Sequence, residues 1–131
     1  MSDEDVIRAA LAAWNEGGVD AFLAHVSPGI EWRHPPGFPQ GDVWRGRDEL
    51  GKELHDQFDE LFDSGTVELR SIDSTPAGWL VGMRHEVQAK ASGLDLRWNA
   101  WHLWTIENGL IARSMVFLDL QDARRAAELV T

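Results

Sequence analysis

Between Leu94 and Leu120 the chain reads as one long β-hairpin with large apolar side chains on both faces. The run from Leu94 to Ile106 meets Leu110 to Leu118 across Glu107-Asn108-Gly109. Asn-Gly is a strong hairpin signal because a type I′ turn needs positive φ at both central residues. Side chains alternate along a strand, so Trp98, His102, Trp104 and Ile106 share one face, and Asn99, Trp101 and Leu103 share the other. A sheet this apolar on both faces needs two covers. Helices supply one, and a second subunit or a ligand is expected to supply the other. The hairpin therefore predicts a helix-backed sheet that dimerises and encloses a cavity.

The 131 residues are enough for one domain, 1–131, with its own core. Cysteine is absent, which excludes disulfides, thiolate chemistry and zinc-thiolate sites. The formal charge of −10 argues against nucleic acid and anionic membrane as partners. The start, Met-Ser-Asp-Glu-Asp, lacks the basic and apolar pattern of a signal peptide, and no apolar run is long enough to span a bilayer. A cytoplasmic location is the expectation. Seven tryptophans and no tyrosine suit an interior that takes flat apolar ligands, although core packing alone also explains them.

Ser2-x-x-Asp5 has the form of a capping box, opening a helix with Val6, Ile7, Ala10, Leu11 and Trp14 on one stripe. Gly17-Gly18 ends it, and a short second helix runs from about Asp20 to Val26. Ile30 to His34 alternates like a strand and enters a Pro- and Gly-rich loop, Pro35 to Gly46, of the kind that covers sites. A third helix, about Asp48 to Phe62, carries Leu50, Leu54, Phe58, Leu61 and Phe62 at helical spacing. Strands follow near 66–72, 79–89, 97–106 and 110–118, and a short helix near 121–130 closes the chain. This order predicts an α+β fold with helices gathered on one face of an antiparallel meander.

These landmarks resemble the nuclear transport factor 2-like superfamily, the cone-shaped α+β fold of ketosteroid isomerases and SnoaL-like polyketide cyclases. The resemblance rests on Ala12-Ala-Trp-Asn-Glu-Gly17, Ile30 to Pro35, Trp104-Thr-Ile-Glu-Asn-Gly-Leu-Ile111 and the ending Phe117 to Ala123 with Ala126 to Leu129. It implies a curved, mixed sheet packed against N-terminal helices, a cystatin-like roll. It also implies a cofactor-independent isomerase, cyclase or hydro-lyase acting on a small hydrophobic, polyketide-like or steroid-like ligand. Carried over residue by residue, the general-base aspartate of the isomerases falls on His34, before Pro35. Their oxyanion-hole tyrosine falls on Ala10 and their oxyanion-hole acid on Trp101, so both strong donors are missing, and ketosteroid isomerase activity as such is not expected. The acid–base aspartate of the cyclases matches Asp119.

His34 is the leading candidate for general acid or base, because imidazole titrates near neutral pH. The competing reading is a histidine that only holds the following loop. Asp119 stands directly before the last helix, where capping is the competing role. The face carrying Asn99, Trp101 and Leu103 is expected to line the cavity, joined by Arg84 and Glu86 at matching parity on the neighbouring strand, which makes Glu86 a third catalytic candidate. Trp14, Trp32, Trp44, Phe58, Phe62 and Leu118 complete the expected pocket. The opposite face, with His85, Trp98, His102, Trp104, Met115 and Phe117, is expected to form a homodimer interface. No metal site is expected, since the five histidines lack paired ligand spacing. The alternative to an enzyme is a non-catalytic ligand-binding or dimeric assembly protein of the same fold.

Overall fold

The computed structural model describes residues 2–34 and 43–128. Helix α1 spans Asp3–Leu23, followed by strands β1 (Val26–Arg33) and β2 (Val43–Arg45) and helix α2 (Arg47–Phe58). Four long strands come next: β3 (Phe62–Thr75), β4 (Gly78–Ala89), β5 (Asp95–Glu107) and β6 (Leu110–Phe117), before helix α3 (Leu120–Glu128). The six strands form one sheet in the order β2-β1-β6-β5-β4-β3. β1 runs parallel to β6 and every other pairing is antiparallel. The result is a mixed, curved sheet with α1 and α2 on one face, as the sequence led us to expect.

Local chemistry explains the element ends. The capping box at Ser2 is formed in both directions, with the Asp5 N–H donating to Ser2 Oγ and the Ser2 N–H donating to the Asp5 carboxylate. Gly18 leaves helical geometry at φ 74°, so the two expected helices are two arms of α1 joined at a kink. The β5–β6 turn has Asn108 at φ 52° and Gly109 at φ 75°, as a type I′ turn requires. α2 ends at Phe58, earlier than its apolar spacing suggests, and Phe62 already belongs to β3. β2, absent from the sequence reading, pairs Trp44 with Trp32 of β1. The expected loop over the site falls largely on residues 35–42, outside the described residues.

The assignment of the two sheet faces is reversed from expectation. Val81, Met83, Ala100 and Trp104 face α1 and α2 and join one core with Ile7, Leu11, Phe22, Leu50 and Leu54. Trp104 is 1 % exposed, and its indole N–H donates to Ser114 Oγ at 3.0 Å inside that core. The outer face is covered in part by α3, where Ala123 and Ala127 pack on Leu80 and Leu103, flanked by Trp101 and Phe117. Met115 and Phe117 pair with Leu103 and Trp101, so they stand on the outer face and not beside His102. No bulge causes this, because the β4–β5 ladder is unbroken from Trp79↔Trp104 to Gln88↔Asp95. The stripe expected at a dimer interface is the interior of the monomer. The physical reason is that its face is the more apolar, and burying it under two amphipathic helices removes more apolar surface from water.

Asn15 supplies a tie that the sequence did not reveal. Its amide donates to the Val67 carbonyl at 2.8 Å and accepts from the Val67 N–H at 2.7 Å. It thereby acts as a one-residue strand partner that fixes α1 to the edge strand β3.

Candidate functional site

A cavity of about 540 Å³ opens between the helices and the inner face of the sheet. α1 contributes Leu11, Trp14 and Phe22, α2 contributes Leu54, Gln57 and Phe58, and β1 contributes Trp32, with His34 just beyond its end. The long strands add Met83, His85, Trp98, His102, Trp104 and Val116, with Leu118 after β6. Among the described residues no Asp, Glu, Lys or Arg lines it. Its ionisable side chains are three histidines, and the other polar residues along its lining are Gln57, Asn99 and the tryptophans.

Each histidine is set by a different local arrangement. His34 follows β1, and its ring centroid lies 4.1 Å from that of Trp44, at 65°. His85 is paired across the ladder with Trp98, and the two rings stack at 4.9 Å and 16°. Phe58 stacks on His85 as well, at 5.9 Å and 29°. Burial pushes the His85 imidazolium down to a pKa of about 4. His102 is deeper, 7 % exposed, between Trp32 at 5.3 Å and Trp104 at 5.5 Å, both met edge to face. Burial, helped by the nearby His85 and His34, pushes it down to about 3. Both rings are neutral at physiological pH, and each carries one N–H donor and one lone pair.

Of the residues expected to serve the site, His34, Trp14, Trp32, Phe58 and Leu118 line this cavity. Asn99 and Trp101 border it from β5, although the Trp101 indole packs with the α3 cluster on the outer face, beside Gly82. Trp101 therefore does not stand where an inward donor would. Ala10 is wholly buried and outside the lining. Trp44 is buried against His34 as a second layer. Phe62 lines a smaller adjoining pocket of about 140 Å³ that shares Trp14, Phe58 and His85 with the main one.

Glu86 and Arg84 lie outside the cavity. Glu86 is exposed, and its carboxylate sits 3.5 Å from Arg84 Nε. Their strand parity puts them with Gly82 and Trp101, because only the other parity meets α1 and α2. Asp119 also lies outside the lining and caps α3, its carboxylate accepting from the Asp122 N–H at 3.1 Å. His85, Trp98, His102 and Trp104 are the lining residues that sequence reasoning assigned elsewhere. Their signal was present: they belong to the more continuously apolar face, which an ordinary amphipathic reading directs toward the helices.

No curated protein sequence matches the chain. Solved structures share its fold at low identity. A nuclear transport factor 2-like protein from Burkholderia pseudomallei K96243 aligns over 97 % of this chain and 98 % of its own, with a TM-score of 0.76 and 20 % identity. TerC, co-crystallised with polyporic acid, aligns over 95 % of both chains with a TM-score of 0.74 and 20 % identity. A protein from Jannaschia sp. CCS1, described as a SnoaL-like polyketide cyclase, covers 96 % of this chain and 90 % of its own, with a TM-score of 0.70 and 18 % identity. The family model of the SnoaL-like domain matches residues 7–114, from the first helix to the last strand. The chain belongs to the SnoaL-like domain family.

Proposed function

We propose that this small-molecule pocket protein is a cofactor-independent acid–base enzyme acting on a hydrophobic, oxygenated substrate. Isomerisation, cyclisation and dehydration are the reaction classes in view, with His34 as general acid or base. The observation that carries the reading is the aromatic cavity whose ionisable side chains, among the described residues, are imidazoles alone. Proton transfer inside it therefore falls to a histidine, and His34 is the one at the position where the related isomerases hold their base. The likeness to TerC, co-crystallised with polyporic acid, fits a cyclic oxygenated ligand.

Hydrogen–deuterium exchange tests this directly. 2-Tetralone is neutral and flat, and its α C–H bonds are acidic enough for a histidine base. In D₂O the wild-type protein should accelerate its exchange, and His34→Ala should lower the acceleration by about 10²–10⁴ while the fold persists. Binding of 2-tetralone without accelerated exchange would overturn the enzymatic reading. It would favour a second one, a non-catalytic binding protein, which the buried Ala10 and the outward Trp101 support because neither supplies an oxyanion donor.

The homodimer belongs to the same proposal, now on the outer face. Met115 remains 38 % exposed there, with Phe117 half-buried on the same face, and offers the apolar material that α3 leaves uncovered. Light scattering at the mass of one chain would refute it.

A further inference from the structure

His102 is a costly choice for its position. It lies in the middle of β5, pairs with Val81 on one side and Val116 on the other, and is enclosed by the indoles of Trp32 and Trp104. A phenylalanine or leucine would satisfy the packing there with no polar atom to bury. Nδ1 of His102 is buried and has no hydrogen-bond partner among the described residues. A buried imidazole nitrogen left this way is destabilising, and a hydrogen bond from outside the chain, after a turn of the ring about its Cβ–Cγ bond, would relieve it. The ring borders the cavity, so the cavity is where such a group would come from.

Charge narrows what that group can be. The lining holds no cation or carboxylate among the described residues, and burial keeps His85 and His102 neutral. An ionised group seated against His102 would lose its water there and gain no counter-charge from the neutral rings around it. Shape narrows it further. The stacked rings of Phe58, His85 and Trp98 line the cavity together with Trp32, so its walls suit a flat ring system. We infer that His102 is the deep anchor that meets the hydroxyl or carbonyl of a neutral, flat ligand, and that the cavity rejects the ionised counterpart of that ligand. The inference rests on the cavity being the site proposed above and is independent of whether His34 catalyses anything.

Isothermal titration calorimetry at pH 7.5 with 2-naphthol, naphthalene and 2-naphthalenesulfonate tests each part. The wild-type protein should bind 2-naphthol about tenfold more tightly than naphthalene, the value of one ordinary hydrogen bond. The sulfonate should bind at least about a hundredfold more weakly than 2-naphthol, if at all. His102→Phe should erase the advantage of 2-naphthol and leave naphthalene binding in place, and His102→Gln, which keeps a polar end, should retain part of it. Circular dichroism of both variants establishes that they fold. If 2-naphthol keeps its preference in folded His102→Phe, or if the sulfonate binds as well as 2-naphthol, the inference is wrong and the pocket reading stands. If none of the three binds the wild-type protein, both fail together.

Discussion

Replacing Trp104 by alanine should nearly unfold the protein as a monomer, because the residue is a keystone of the core. It is 1 % exposed, contacts Phe22 and His102 through its ring, and donates its indole N–H to the buried Ser114 hydroxyl. A buried tryptophan removes about 150–250 Å² from water, which at about 25 cal/mol per Å² corresponds to roughly 4–6 kcal/mol as an upper bound. Measured Trp→Ala changes in cores fall at about 3–5 kcal/mol. Ser114 would lose its partner in addition, worth about 1 kcal/mol or more when no water replaces it. A loss near 5 kcal/mol is thus expected, against a total stability of about 5–15 kcal/mol for a domain. Trp104→Phe keeps most of the volume and loses the hydrogen bond, so about 1–2 kcal/mol is expected. Urea unfolding followed by circular dichroism, repeated over a hundredfold range of protein concentration, is the assay. The loss should be the same at every concentration. A Trp104→Ala protein within 1 kcal/mol of wild type, or one that only dissociates, would put the indole at a subunit interface and refute the face assignment.

Two further perturbations follow from the structure. Asn15→Ala removes both hydrogen bonds to Val67 and should cost about 2 kcal/mol, seen in denaturant melts, with amide exchange of β3 rising before that of β5. Acid should destabilise the fold through His102 and His85. Their folded pKa values, about 3 and about 4, lie below the unfolded value near 6.5. Their stabilising contribution is therefore complete above pH 6.5 and is lost as pH falls from 6.5 toward 4, while the unfolded chain takes up protons the folded one refuses. His55 works in the opposite sense. Hydrogen bonds that its ring donates to the Asp59 and Asp20 carboxylates raise its pKa, so its contribution is present below pH 6.5 and lost as pH rises through the raised value. Melting temperatures of wild type, His102→Phe and His55→Gln between pH 8 and 4.5 separate the two; a His102→Phe curve parallel to wild type would contradict the burial argument.

The sequence carried the architecture well and the site only in part, for identifiable reasons. Ser2, Gly18 and Asn108-Gly109 punctuate the chain through local backbone chemistry, which a sequence displays directly. Trp14 and Phe58 were legible through helical spacing, and His34 and Trp32 through the family resemblance and the alternation of β1. The choice between the two faces of β4 and β5 was not local. Trp101 and Leu103 made both faces apolar, and the polar group Arg84, Glu86 and Asn99 drew the expected cavity to the wrong one. α3 resolves the matter by covering Leu103 and Trp101 with alanines, a contact between residues about twenty apart that no periodicity announces. Asn15 is a similar case, since a helix-terminal asparagine gives no sign that it reaches Val67.

The central claim is that the inner, helix-facing cavity is the ligand site, with His102 at its depth. A crystal of the protein soaked in 2-naphthol tests it most directly. Density for the ring system is expected between Trp32 and the His85–Trp98 stack, with the hydroxyl within about 3.2 Å of a His102 nitrogen. Density over Arg84 and Glu86 on the outer face, with side chains filling the inner cavity, would contradict the account.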